Sequence, residues 1–175
     1  MSSVILTGFM GTGKTTIGRL LAERLHVRFI DTDARIEELE GRSVAAVFAE
    51  EGEPYFRAVE RRVIAEAVQT DAVVATGGGA IVDPVNYRCM HAAGPIVCLT
   101  ADPDVIFART ATDNGRPLLN NGERRARITE LLAERAAAYA QADITVDTSH
   151  ADVRATVDEI LARLRDSTRR EGVHR

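Results

Sequence analysis

The chain has few of the residues that build disulfide, metal or membrane proteins. Its two cysteines, Cys89 and Cys98, have neither CxxC spacing nor a nearby histidine pattern. A zinc or redox motif is therefore unsupported, and both read as buried free thiols. The N-terminal apolar run, Val4 to Leu6, is far too short for a signal-peptide core or a membrane span, and a polar Gly/Thr loop follows it. A cytoplasmic chain with no membrane partner is expected. Positive charge is also in short supply: the formal net charge is -4, which disfavours a nucleic-acid partner because counterion release needs a basic face. Scarcest of all is lysine. Of 22 Lys plus Arg, only Lys14 is a lysine, and a compact ammonium on a flexible stem suits a site that grips phosphate as a point charge.

At 175 residues, 45% hydrophobic and 27% charged, the chain fits one folded domain with a sizeable core. Short β-rich runs alternate with longer amphipathic ones, the pattern of βαβ crossovers with helices on both faces of a parallel sheet. Strands are expected at Val4 to Thr7, Arg28 to Ile30, Ala72 to Thr76, Ile96 to Thr100 and Ile144 to Val146. Helical spacing marks Thr15 to Leu25, Ala34 to Leu39, Val44 to Phe48, Tyr55 to Val68, Pro84 to Ala92, Pro103 to Ala111, Arg124 to Ala140 and Ala151 to Leu164. Asp83-Pro84 and Asp102-Pro103 read as capped helix starts, and Gly41, Gly52 and Gly94 as left-handed helix ends. A single domain is expected over 1–165, with helices about 33–69 set beside the sheet, a breaker-rich lid about 112–122 and a frayed tail at 166–175.

Residues Gly8 to Thr15 read Gly-Phe-Met-Gly-Thr-Gly-Lys-Thr, a full G-x-x-x-x-G-K-[ST] match between an expected strand and an expected helix. Such a loop turns backbone N–H groups toward phosphate oxygens, and the helix N-terminus adds its positive dipole end. Gly11, Thr12, Gly13, Lys14, Thr15 and Thr16 are therefore assigned to ATP, Lys14 to its β and γ phosphates. The Thr15 hydroxyl is assigned to Mg²⁺. Thr16 extends the helix or touches phosphate.

The second strand ends at Asp31-Thr32-Asp33, and open α/β sheets bind ligands beyond the carboxyl ends of their strands. Asp31 is favoured for Mg²⁺ through water, and Asp33 for the acceptor hydroxyl or its proton; the plainer alternative makes Asp33 the cap of the next helix. Gly77-Gly78-Gly79 follows the third strand, so backbone there can approach a ligand closely. Arg57 and Glu60 lie three apart on one expected helix, close enough for the carboxylate to orient the guanidinium. The four histidines, His26, His91, His150 and His174, read as surface residues.

Several segments together resemble the shikimate kinase family, in order and across nearly the whole chain. They are the P-loop from Gly8 to Thr16, Asp31-Thr32-Asp33, Gly52-Glu53-Pro54-Tyr55-Phe56-Arg57-Ala58-Val59-Glu60, Gly77 to Gly79, Arg116-Pro117-Leu118-Leu119, and Arg135 with Tyr139 beyond. The resemblance implies a three-layer P-loop fold of the nucleoside-monophosphate-kinase type, a five-stranded parallel sheet of order 2-3-1-4-5 around the segments quoted. It implies transfer of the γ-phosphoryl group of ATP to the 3-hydroxyl of shikimate, with Mg²⁺, in aromatic amino-acid biosynthesis. Asp33, Arg57, Gly78, Gly79 and Arg135 would contact shikimate, Arg116 would close over the transferring phosphate, and Arg109 would pack against adenine. Two guanidiniums from separate helices, Arg57 and Arg135, would then hold a planar carboxylate in one orientation. Where the family often carries a Pro after the last strand, this chain reads Asp147-Thr148-Ser149-His150-Ala151-Asp152, which leaves adenine contacts there open. A monomer is expected. Two rivals stand beside this reading: a sugar-acid kinase such as one acting on gluconate, and a nucleotide-binding regulatory module.

Overall fold

The computed structural model describes residues 3–111 and 124–172, with 168–172 by backbone alone. The expected lid and Arg116 lie outside the described residues.

Apolar runs supply the sheet. Strands β1 (Val4–Gly8), β2 (Arg28–Asp31), β3 (Ala72–Ala75), β4 (Ile96–Thr100) and β5 (Ile144–Asp147) pair in parallel, in the order β2-β3-β1-β4-β5. Central β1 has Ile5 opposite Val74 on one side and Ile96 on the other. Parallel pairing needs a crossover between successive strands, and helices fill that role on both faces.

Alternation along the strands divides the core in two. Leu6, Val73, Val97 and Leu99 face helices α1 (Lys14–Leu25) and α8 (Val153–Gly172) through Ile17, Leu21, Val157 and Ile160. On the opposite face, Ile5, Val74, Ile96 and Cys98 meet α5 (Pro84–Ala93), α6 (Pro103–Arg109) and α7 (Arg124–Tyr139) through Met90, Ile106, Ile128 and Leu131. A smaller core of Ile36, Val47, Phe56, Val59 and Val63 ties together α2 (Thr32–Glu40), α3 (Val44–Glu51) and α4 (Glu53–Ala67) beside the β2 edge. Helix α4 also sends Ile64 and Ala67 into the main core, which joins the two.

Where elements depart from expectation, side chains decide. Helix α2 begins at Thr32, not Ala34, because the Asp31 carboxylate accepts from the N–H groups of Asp33 and Ala34; the cap belongs to Asp31, not Asp33. Asp83 caps α5 as expected. Asp102 stands at the start of α6 without capping it: its N–H donates to Ser149 Oγ, 2.8 Å away, and its carboxylate turns toward His150. Gly41 adopts the left-handed conformation after α2, whereas Gly52 combines a positive φ of 85 with an extended ψ of 169 and Gly94 is extended. His26 takes the left-handed position that ends α1. Helix α8 runs on to Gly172, past the expected end at Leu164, because no Gly or Pro interrupts that stretch. Cys98 is buried as expected, while Cys89 is only half-buried.

Candidate functional site

Beyond the carboxyl ends of β1 and β3 two glycine-rich loops lie against each other. Leaving β1, the chain passes through Gly8 at φ 132, where a Cβ would collide with the Leu99 carbonyl of β4. Gly13, at φ 93, then hands the chain to α1, whose first residue is Lys14. The loop is held from within: Thr12 Oγ1 donates to the Phe9 carbonyl at 2.7 Å, and Lys14 Nζ donates to the carbonyls of Gly8 (2.7 Å) and Phe9 (2.9 Å). The single lysine is thus folded against the loop it terminates. Thr15 and Thr16 are exposed on the first turn of α1.

Thr15 Oγ1 donates to Asp31 Oδ2 at 3.0 Å, while Asp31 Oδ1 caps α2. One carboxylate therefore aligns both the first turn of α1 and the start of the acceptor-side helices. Asp33, half-buried in the first turn of α2, points its Oδ1 to within 3.0 Å of where a Cβ on Gly77 would stand.

Each glycine of the triplet faces a different group. At the same Gly77 point stands Glu60 Oε1, 3.1 Å away; at Gly78 stand Arg135 Nη1 (3.2 Å) and the Gly8 carbonyl (3.3 Å); at Gly79 stands Arg57 Nη2 (2.7 Å). Three bare peptides form a floor on which a carboxylate from α2, another from α4 and guanidiniums from α4 and α7 converge. No β-carbon fits without displacing one of them. Arg57 is anchored by Glu60 Oε2 (2.8 Å) and Glu53 Oε1 (3.1 Å). Arg135, only 7% exposed, lies over the Phe9 ring of the P-loop at 5.5 Å.

Glu60 is fully buried, yet only one of its oxygens is bonded: Oε1 has no hydrogen-bond partner. Burial pushes its carboxyl from 4.5 up to about 7; Arg57 pulls the other way, and the negative charges of Asp33 and Asp83 add to the rise. Burial likewise opposes the charge on Arg57, but Glu60 and Glu53 outweigh it and hold the guanidinium above its ordinary value. Both partners shift upward because desolvation dominates the carboxylate and not the guanidinium.

Arg109, at the end of α6, reaches across to the loop after β5. Nη2 donates to the Thr148 carbonyl at 2.6 Å and Nη1 to the Gly11 carbonyl at 3.1 Å, while Thr148 Oγ1 donates to the Thr12 carbonyl at 2.8 Å. The segment where the family's Pro is missing is thereby pinned to the P-loop by a hydroxyl and a guanidinium. His150 beside it is exposed.

A family model for shikimate kinase matches residues 10–165. The chain belongs to the shikimate kinase family. Among curated relatives, the shikimate kinase of Pelotomaculum thermopropionicum is 42% identical over 167 residues, covering 95% of this chain and 97% of its own. A solved shikimate kinase from Acinetobacter baumannii, in complex with shikimate, superposes with a TM-score of 0.92 at 35% identity, covering 95% and 94% of the two chains. A gluconokinase from Sinorhizobium meliloti shares the fold, with a TM-score of 0.66, but only 19% identity.

Shikimate kinases use ATP as phosphoryl donor with Mg²⁺, and the residues present fit both. Around the metal position the donors are oxygens alone, one hydroxyl (Thr15) and one carboxylate (Asp31) already 3.0 Å apart. Among the described residues no cluster of three or more His, Cys, Asp or Glu is placed to hold a metal ion. A sparse oxygen set suits Mg²⁺, which keeps several waters and takes the rest of its shell from phosphate. The expected P-loop residues, Asp31, Asp33, Arg57, Gly78, Gly79, Arg109 and Arg135 lie around the two facing glycine loops, while Arg116 lies outside the described residues.

Three contributors escaped the sequence reading. Thr148 binds the P-loop, and the only hint was its place just past a strand's carboxyl end. The unpartnered oxygen of Glu60 depends on burial, which no local pattern reveals. Tyr139 donates to the Gly78 carbonyl at 2.7 Å; its spacing of four from Arg135 was the available signal.

Proposed function

We propose that this chain transfers the γ-phosphoryl group of ATP to the 3-hydroxyl of shikimate, giving shikimate 3-phosphate and ADP, a step of chorismate and aromatic amino-acid biosynthesis. One observation carries the choice of acceptor: guanidiniums of Arg57 and Arg135 stand over neighbouring glycines, with the Asp33 carboxylate over the third. Such a floor offers two planar forks for a carboxylate at one end and an acceptor oxygen for a hydroxyl at the other.

In this reading the P-loop amides of Gly11 to Thr16 hold the phosphates of ATP and Lys14 neutralises the charge that moves with the γ-phosphoryl group. Thr15 directly and Asp31 through water would hold Mg²⁺, which would supply positive charge against the phosphates. Arg109 packs against adenine. Arg57, Arg135, Gly78 and Gly79 hold the carboxylate of shikimate, so that Asp33 can accept the hydrogen bond of the reacting hydroxyl and take its proton. The hydroxyl oxygen bonds to the γ phosphorus as the bond to the β–γ bridging oxygen breaks. Arg116 is assigned to the transferring phosphate on its sequence motif. The chain is taken as a cytoplasmic monomer working on small metabolites, without nucleic acid or membrane. Among the described residues no helix is long and apolar enough to cross a membrane.

The test is ADP release by purified protein with MgATP and either shikimate or gluconate. Release with shikimate alone supports the reading. Equal release with gluconate would favour a sugar-acid kinase, and slow release indifferent to either acceptor a regulatory module.

A further inference from the structure

Tyr139, on the last turn of α7, is 8% exposed and its ring belongs to the core beneath the sheet. Packing alone would be met by Phe. The hydroxyl instead donates to the Gly78 carbonyl at 2.7 Å, with Arg135 one helical turn earlier on the same helix. A buried phenol bonded to a backbone carbonyl cannot turn its O–H away without leaving both groups unpaired.

Two consequences follow from covalent geometry. With no cis peptide among the described residues, the Gly78–Gly79 unit is planar and trans. Fixing its carbonyl on Tyr139 therefore fixes its N–H, that of Gly79, on the opposite side of the peptide. Glycine otherwise leaves this peptide free to turn, because neither residue has a β-carbon to restrict it. The second consequence concerns Arg135, which lies over the Phe9 ring with its Nη1 3.2 Å from the Gly78 β position. The peptide that Tyr139 holds is thus the surface that this guanidinium faces.

We propose that Tyr139 is a positioning residue for the acceptor, its hydroxyl holding the Gly78–Gly79 peptide, beneath the Arg135 guanidinium, in the single arrangement that receives the acceptor's carboxylate. The inference rests on the carboxylate-clamp reading of the site. Tyr139 acts through the peptide it holds. Its phenol is held protonated by burial, pushed up to about 12 with Arg135 opposing the rise, so it remains a donor across the working range.

The experiment compares Tyr139→Phe with Arg135→Lys, recording the melting temperature, kcat, and KM for shikimate and for ATP. Losing the hydrogen bond that fixes the floor of the acceptor site is expected to raise KM for shikimate about tenfold. Both kcat and KM for ATP should stay within about twofold, and preference for shikimate over its decarboxylated analogue should fall. A KM for shikimate that is unchanged in Tyr139→Phe but raised in Arg135→Lys overturns the role of Tyr139 and leaves the clamp standing. If neither variant raises it, the clamp itself is wrong. A uniform loss across kcat and both KM values shows a merely structural tyrosine and also overturns the proposal. A measurement on the unaltered protein covers a variant that does not fold: hydrogen exchange of the Gly79 amide should slow on adding shikimate, and an unchanged rate overturns the proposal.

Discussion

Lys14 carries the phosphate charge in the proposed mechanism, and its surroundings say how its loss should look. Its ammonium bonds two loop carbonyls and packs no core, so Lys14→Ala should leave the circular dichroism spectrum unchanged. Turnover should fall by about 10² or more, the scale of removing one preorganised charge from a transition state. Turnover within about tenfold of wild type, roughly 1.4 kcal/mol of barrier, would remove the assigned role. Glu60 gives a pH-dependent counterpart. Its carboxyl rises from 4.5 to about 7 on folding, so the folded state binds the proton more tightly than the unfolded one. Its contribution to stability is therefore present in full below about pH 4.5 and lost as pH rises to about 7, a change of a few kcal/mol. Glu60→Gln should flatten that part of the stability–pH curve in urea melts while raising KM for shikimate through the weakened Arg57. A slope equal to wild type would show that another group titrates there.

Among the elements, the two glycine loops make opposite demands on a methyl group. At Gly8 a Cβ meets the backbone of β4, and the φ of 132 is itself unfavourable for other residues. Gly8→Ala should cost about 3 kcal/mol or more and lower the melting temperature sharply. At Gly79 the obstacle is the tip of Arg57, 2.7 Å away, which can swing aside. Gly79→Ala should fold normally and raise KM for shikimate severalfold with KM for ATP unchanged. Comparable melting temperatures for the two variants would contradict this distinction. The same contrast explains what was legible in the sequence. Strand runs such as Ile96–Thr100 and the Gly8 to Thr15 motif are local patterns, and the structure places them as expected. The start of α2 was misplaced because its cap, Asp31, is held from another element by Thr15. Asp102-Pro103 resembled a cap in isolation, but Ser149 draws its backbone into a bond across the sheet's end. Tyr139 and Thr148 matter through contacts 61 and 136 residues away in the chain, distances over which periodicity carries no information.

At the scale of the whole molecule, α4 ties the P-loop to α2 and α3: Ile64 and Ala67 share the main core with Phe9 and Met10, while Phe56 and Val63 pack with Ile36. A ligand bound at either glycine loop should therefore stabilise the whole domain. At 100 times its Kd, a ligand adds about 2.7 kcal/mol, worth roughly 5–10 °C in melting temperature for a domain of this size. Shikimate should produce such a shift in both wild type and Lys14→Ala, MgATP only in wild type, and gluconate in neither. A gluconate shift as large as that of shikimate would contradict the acceptor assignment.

Because all other basic side chains are arginines, Lys14 is the only side-chain amine in the chain, and it lies in the phosphate cradle. Ordinary amine-directed reagents therefore become site-directed ones. Apart from the chain terminus, acylation with an activated ester has a single target, whose modification would be slowed by bound MgATP and read as one mass increment on the intact protein. The same fact has a practical side: coupling to a surface or a dye through lysine would consume the residue proposed to hold phosphate, and attachment through half-buried Cys89 is the alternative that leaves it untouched.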